Sequence, residues 1–237
     1  MTTSHDSSVD GRERRAEVHR ALGDPLRLAI VEALATSDMT PSEAEVRFAV
    51  SSNLLAHHLA TLEGAGIVVR TRSHGDARRR YLSLRRDTLT TSGVSLGTPG
   101  SAPIEAERVV FVCTLNSARS PLAAALWGEL RDDIPATSAG THPAEAAHPL
   151  AVLAGREAGL SLQHKPQSLQ GLARDTDLVV TVCDQAHEER GKHDTQRELH
   201  WSIPDPVRDG RPEAFAGTVG LLRERITYLA EHTARAS

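Results

Sequence analysis

The sequence predicts two domains, a small α+β domain of helices closed by a β-hairpin and then a larger α/β domain. Three observations predict this. Residues 91–103 read TSGVSLGTPGSAP, a run of Ser, Thr, Gly and Pro that suits an exposed flexible linker. Before it, apolar residues recur at helical spacing as far as Gly64, and two short β-type runs flank the turn residues His74, Gly75 and Asp76. After it, an apolar strand pattern runs straight into a C-x5-R motif followed by a helix. The expected division is a first domain over 1–90, a linker over 91–106 and a second domain over 107–237.

Composition narrows the class. The chain has 237 residues, 39% hydrophobic and 24% charged, enough for two modest globular cores. The polar start, Met1 to Asp10, lacks the apolar stretch of a signal peptide, and no run reaches membrane-spanning length. A cytoplasmic protein with no membrane partner is therefore expected. Cys113 and Cys183 are the only cysteines, too few for a disulfide framework, so reactive thiols are the better reading. Lys165 and Lys192 are the only lysines among 27 cations, which with frequent alanine suggests a GC-rich bacterial genome. The net charge of −4 is uneven. Between Ala65 and Arg86, Arg70, Arg72, Arg78, Arg79, Arg80, Arg85 and Arg86 face only Asp76, a local +6. Such a segment suits either a phosphate-backbone partner or a solvated hairpin.

In the first domain, Arg12 to Leu22 reads as one helix. Asp24 caps a second, with Pro25 at its first position and Leu26, Leu28, Ile30, Val31 and Leu34 on its apolar face. Thr40-Pro41-Ser42-Glu43 is a capping box that opens a third. Ser51 or Ser52 starts a fourth, with Leu55, Leu59 and Leu62 on one side. Ile67 to Ser73 and Arg79 to Leu84 read as the two hairpin strands.

The segment VSSNLLAHHLATLEGAGIVVRTRSHGDARRRYLSL resembles the winged helix-turn-helix repressors of the ArsR type. The resemblance covers about residues 15–85 and implies a homodimer on a double-stranded DNA operator. It places the helix from Ser52 in the major groove, with Ser52, Asn53, Ala56 and His57 toward base edges. Arg70, Arg72, Arg78, Arg79 and Arg80 would grip phosphates beside it. For His57 and His58, a capping or partly buried pair without readout is the competing reading. Two departures from the family stand out. Ser42 to Val50 carries no cysteine, so thiolate chelation of arsenite is not expected there. From Arg86 onward the linker replaces the family's last helix, which puts the dimer surface in question.

In the second domain, Arg108 to Val112 ends at Cys113-Thr-Leu-Asn-Ser-Ala-Arg119-Ser120, with Pro121 and a helix to Leu130 following. A C-x5-R loop can curl so that backbone N–H groups converge on one tetrahedral anion. Thr114, Leu115, Asn116, Ser117, Ala118 and Arg119 are the expected oxyanion cradle. Arg119 supplies a bidentate clamp, the helix dipole and the cradle favour a thiolate at Cys113, and Ser120 is placed to donate to it. The competing reading is a cysteine that merely ends a buried strand. Asp205-Pro206 supplies a candidate general acid, although a DP dipeptide alone is more often a turn.

Residues 108 to about 230 resemble the low-molecular-weight protein tyrosine phosphatases and the arsenate reductases that share their fold. The resemblance rests on the loop, SAGTHP, HKPQSL and HWSIPDP, and implies a three-layer domain with a four-stranded parallel sheet. Strands are then expected at 108–113, 135–139, 178–183 and 198–201. Asn116 matches the asparagine that braces the loop, while Leu115 stands where a glycine is usual. Val207 and Arg208, rather than aromatics, follow the DP pair, and aromatics make up 3% of the chain, so the resemblance leans to arsenate reductase over phosphatase. It implies no bound cofactor but an external thiol system, either mycothiol with mycoredoxin or thioredoxin. Cys183 matches the second relay cysteine, but Ala186 to His193 offers no third. Cys183 is thus either a resolving thiol or a buried strand-end residue. A zinc site from Cys183, His187, His193 and His200 is disfavoured by irregular spacing, and no metal is expected. A non-catalytic oxyanion sensor that controls the first domain is the alternative reading of the second.

Overall fold

The computed structural model describes residues 4–96, 103–162, 165–191 and 197–236. Two compact units form, one in the main from the first hundred residues and one in the main from the rest. Part of the expected linker, 97–102, lies outside the described residues, as do His164 and His193.

The first unit opens with α1 (Ser4–Leu22), eight residues earlier than its apolar residues suggest. In α2 (Pro25–Thr36), the Asp24 carboxylate accepts the Arg27 N–H at 3.0 Å, and this bond holds its carboxyl below the usual range. The capping box of α3 (Pro41–Phe48) closes as expected, with Thr40 N donating to Glu43 at 2.8 Å and Glu43 N to Thr40 at 3.3 Å. Ala49 turns left-handed (φ 52°), and Ser51 caps α4 (Ser52–Gly64). The Leu55, Leu59 and Leu62 stripe is buried, each side chain contributing roughly 1.5–3 kcal/mol. β1 (Val68–Arg72) and β2 (Arg80–Leu84) pair antiparallel from Val68 opposite Leu84 to Arg72 opposite Arg80. The chain then does what the sequence did not suggest. Residues 86–91 form α5 (Arg86–Thr91), anchored by buried Leu89 and packed on α1, where His19 Nε2 meets the Ser92 carbonyl at 3.2 Å. Its four weak helix formers, Asp87, Thr88, Thr90 and Thr91, hide it from propensity, and tertiary contact supplies the stability.

The second unit's first strand is β3 (Ile104–Ala106), which pairs parallel with β8 (Thr233–Arg235), well over a hundred residues later. Residues 104–106 are therefore part of a sheet and not linker; a three-residue strand held by a partner so distant leaves no local pattern. The central sheet is four-stranded and parallel in the order β5-β4-β6-β7, with β4 (Arg108–Cys113), β5 (Ala136–Gly140), β6 (Asp177–Thr181) and β7 (Arg197–His200). β4 and β6 read as unbroken apolar runs because both faces are covered. At their amino ends Arg108 lies opposite Asp177 and donates to it through Nε at 3.0 Å. α6 (Arg119–Leu130) packs on β4 and β5, α7 (Pro149–Glu157) and α10 (Pro212–Glu231) pack with each other, and α10 also packs on α6. α8 (Asp184–Arg190) leans on β4 and β6, and α9 (Pro206–Asp209) is a single turn. Phe111, Trp127 and Trp201 meet in the core at centroid distances of 6.2 and 6.0 Å.

The connection out of β4 goes to one side, to β5, and the chain then returns to β6 on the other side of β4. The carboxyl ends of β4 and β6 therefore flank the reversal of strand order, where open parallel sheets hold ligands. Cys113 ends β4, and Cys183 lies two residues beyond β6. The expected strand 178–183 is thus too long: Cys183 is the N-cap of α8.

Candidate active site

The loop after β4 is shaped by where its carbonyls go. Thr141, His142, Ala144 and His148 donate their backbone N–H groups to the carbonyls of Cys113, Thr114, Leu115 and Ser117 at 3.2, 2.8, 2.9 and 2.8 Å. A planar trans peptide points its N–H opposite to its C=O. Pinning these carbonyls to residues 141–148 therefore turns the N–H groups of Thr114, Leu115, Asn116 and Ala118 toward the other side, the inside of the loop. α6 adds its first turn. Its N-cap is Ala118, which makes no side-chain cap, so the orphan N–H groups and the positive end of the helix face the same point.

Asn116 holds the loop's curl. It is fully buried with φ 50°, and it uses its whole amide: Nδ2 donates to Ser120 and Ser138 at 2.9 Å each, and Oδ1 accepts the Gln167 N–H at 2.9 Å. Because Ser120 Oγ already accepts from Asn116, its own proton is free to point at Cys113 Sγ, 3.0 Å away, which is much closer than the Ala139 carbonyl at 3.4 Å. With the hydroxyl as donor, that contact stabilises a thiolate. Leu115, where a glycine is usual, is not in a left-handed conformation, and its side chain is 45% exposed.

Arg119 closes the ring. NH1 donates to the Ile203 carbonyl at 3.1 Å, and NH2 lies 3.1 Å from Asp205 Oδ2. Asp205 caps α9, with Oδ1 accepting the Val207 N–H at 3.1 Å, which aims its other oxygen at Arg119. A cavity of about 230 Å³ is enclosed by Cys113, Thr114, Leu115, Ser117, Ala118, Arg119, Gln185, Asp205 and Val207. All the expected cradle residues except Asn116 line it, and Asn116 acts from behind. None of the lining side chains is aromatic.

Cys183 sits behind the loop. Its Sγ lies 3.4 Å from Thr114 Oγ1 and accepts the Ala186 N–H at 3.4 Å. Burial pushes its thiol up; the Arg119 charge pulls it down, and Cys113 pushes it up again, with a net rise. His187 and His200, from the disfavoured zinc set, stack at 4.1 Å and share Thr181 Oγ1 at 3.3 and 3.0 Å. Among the described residues no group of three or more His, Cys, Asp or Glu converges to hold a metal.

The sequence pattern does not single out Gly140, Ser138, Gln167 or Gln185. Gly140 is required by space, since a Cβ there would come 2.7 Å from the Thr114 carbonyl and 3.0 Å from Asn116 Cβ. Its only signal is its place in the SAGTHP segment.

On the first unit, Ser52, Asn53, Ala56 and His57 lie exposed on α4 opposite the leucine stripe. His58 is buried, with Nδ1 3.5 Å from Asp24, which fits the reading of a buried residue without base readout. Arg70, Arg72, Arg78, Arg79 and Arg80 are exposed along the hairpin. The +6 already counts Asp76, which pairs with Arg78 at 3.0 Å, and Glu63, just outside the segment, offsets it further by pairing with Arg70. Arg86 is also engaged, donating to the Ala35 carbonyl. Among the described residues no helix is long and apolar enough to cross a membrane.

Comparison with known proteins agrees with both halves. A helix-turn-helix domain family matches residues 22–71. An arsenate reductase of Bacillus licheniformis is 33% identical over 134 residues, covering 52% of this chain and 94% of that protein. Arsenate reductase 2 of Staphylococcus epidermidis is 31% identical over 114 residues, covering 46% of this chain and 84% of its own length. The crystal structure of an arsenate reductase from Archaeoglobus fulgidus superposes with a TM-score of 0.47 at 28% identity, over 52% of this chain and 98% of that one. The low molecular weight phosphotyrosine protein phosphatase family matches residues 108–237, more than half the chain, and this protein belongs to that family.

Proposed function

We propose that the chain is a dimeric DNA-binding regulator of the ArsR type joined to an arsenate reductase, acting in the reducing cytoplasm. The observation that carries the enzymatic half is the cavity: a complete anion cradle with a nucleophile and an acid, about 230 Å³ in volume and walled by Leu115, Gln185 and Val207 without an aromatic ring. That is below the ~300–1,000 Å³ of ordinary small-molecule pockets and offers no stacking surface for a phenyl ester. A bare tetrahedral oxyanion suits it. Arsenate reductases among its relatives support the same choice.

The reaction follows from the residues. The Cys113 thiolate, held by Ser120, attacks arsenic; an As–O bond breaks, and the departing oxygen, taking a proton through Asp205, leaves as water. Arg119 and the loop N–H groups carry the charge that develops on the remaining oxygens. The adduct is still As(V). A thiolate then attacks Cys113 Sγ, the S–As electron pair passes to arsenic, and arsenite leaves. The mixed disulfide on Cys113 is released by a second thiol, so two thiols are oxidised to one disulfide for each arsenate reduced. An external thiol such as mycothiol fits this role better than Cys183, which is buried and held as the poorly nucleophilic thiol.

Assays of arsenate reduction and phosphotyrosine-peptide hydrolysis on one preparation test the reading. Thiol-dependent arsenate reduction is expected, abolished in Cys113→Ser, lowered at least about 10³-fold in Arg119→Ala and about 10²–10⁴-fold in Asp205→Asn. Fast peptide hydrolysis with no arsenate reduction under any thiol would establish a phosphatase instead.

A further inference from the structure

One carboxylate at the cavity mouth is used neither by the anion loop nor by the nucleophile. Glu189, on α8, accepts three side-chain contacts from both sides of the opening. Thr141 Oγ1 donates to its Oε2 at 2.7 Å, His142 Nε2 lies 3.4 Å from the same oxygen, and Gln185 Nε2 donates to Oε1 at 2.9 Å. Thr141 and His142 belong to the segment whose backbone pins the carbonyls of Cys113 and Thr114, and Gln185 is itself a wall of the cavity. The carboxylate is therefore fixed at the rim, and its side chain remains 32% exposed. Leu115 and Val207, 45% and 37% exposed, add aliphatic surface to the cavity, and Asp205 adds a second carboxylate that is paired with Arg119.

Gln185, a wall of the cavity that holds Cys113, is bonded directly to the Glu189 carboxylate. The oxyanion sits on Arg119 and the loop N–H groups, where its charge is compensated. A second reactant has no such partner and meets a fixed negative charge beside an apolar edge. We propose that the Thr141–Glu189–Gln185 rim is the docking site of the thiol co-substrate and selects for neutral or cationic low-molecular-weight thiols over acidic ones. This rests on the reductase reading. The chemistry is the transfer already balanced above; the rim adds the orientation of the thiol's body, by hydrogen bonding to Glu189 and Gln185, while its sulfur faces Cys113.

Three matched small thiols read the charge directly: cysteamine, 2-mercaptoethanol and 3-mercaptopropionate, as sole reductants for the full-length protein at pH 8. Intrinsic nucleophilicity differs among them, so the quantity measured is a double ratio: kcat/KM for cysteamine over 3-mercaptopropionate in the wild type, divided by the same ratio in Glu189→Gln. The amide keeps one acceptor oxygen, puts an NH2 in place of the other and removes the charge. For a partly exposed carboxylate the double ratio should be about three to ten, with 2-mercaptoethanol intermediate and Glu189→Asp restoring part of the preference. A double ratio of one, or turnover with a protein dithiol but with none of the three monothiols, would overturn the docking site while leaving arsenate reduction intact. Absence of arsenate reduction under every reductant would overturn the reductase reading itself, a separate result.

Discussion

Asn116 and Gly140 show how single residues hold the loop. Asn116 tolerates a left-handed backbone that costs most side chains about 1–2 kcal/mol, and its three hydrogen bonds make that conformation the stable one. Gly140 contributes by having no side chain where the Thr114 carbonyl passes. Gly140→Ala is therefore expected to shift the loop, lowering kcat at least tenfold and costing about 1–3 kcal/mol of stability. The same substitution at Gly220, exposed inside α10 with no neighbour within 4 Å of the added methyl, should stabilise by roughly 0.5–1 kcal/mol. Urea melts and steady-state rates on the two variants check the opposite signs. Equal effects would remove the case for steric necessity at Gly140. The C-x5-R loop was legible because one short stretch holds its nucleophile, clamp and helix start. Gly140, Ser138 and Gln167 were not, because they brace it from distant parts of the chain, through bonds and contacts to Asn116 and the Thr114 carbonyl.

At the scale of elements, caps and apolar stripes were readable because each is a local pattern: Asp24 with Pro25, the Thr40–Glu43 box, and the leucines of α4 all lie where the spacing put them. α5 and the β3–β8 pair were not, since distant packing stabilises both. Cys183 was misplaced for a related reason: it reads as the end of an apolar strand, yet it accepts the Ala186 N–H and so begins α8. Its burial there has a chemical consequence. Burial keeps Cys183 a thiol to higher pH than an ordinary cysteine, so it should resist iodoacetamide at pH 8 while Cys113, with Ser120 donating to it, reacts. Its labelling should rise only as pH climbs past the usual cysteine range or as the fold opens. Mass spectrometry of the two cysteine peptides measures this, and equal labelling at pH 8 would restore Cys183 as a resolving nucleophile. The hairpin makes a second element-scale prediction. Arg78→Ala, Arg79→Ala and Arg80→Ala combined should weaken DNA binding across all sequences and flatten its dependence on salt by up to about 0.9 for each phosphate no longer neutralised. His57→Ala on the exposed face of α4 should instead blur sequence preference. Titrations of operator and scrambled duplexes at several salt concentrations separate the two. An unchanged salt slope in the triple variant would remove the wing assignment.

For the whole molecule, the position of its sulfur limits how it can sense arsenic. As(III) is a soft acceptor that binds thiolates far better than oxygen or amine donors. The helix-turn-helix unit contains no cysteine, and both thiols of the chain, Cys113 and Cys183, lie in the phosphatase-family unit at the carboxyl ends of neighbouring strands. A thiolate-mediated response of DNA binding to arsenite would begin at those two sulfurs. The double variant Cys113→Ser/Cys183→Ser, as the full-length protein, is accordingly expected to bind operator with the same affinity with and without arsenite, whatever the wild type does. It keeps every residue of the hairpin and of α4, so loss of DNA binding itself would signal a damaged fold rather than a lost sensor, and circular dichroism distinguishes these. Release of the double variant from operator by arsenite, measured by fluorescence anisotropy, would mean that a thiol-free site in the helix-turn-helix unit recognises the metalloid, and the assignment of sensing to the thiol pair would have to be abandoned.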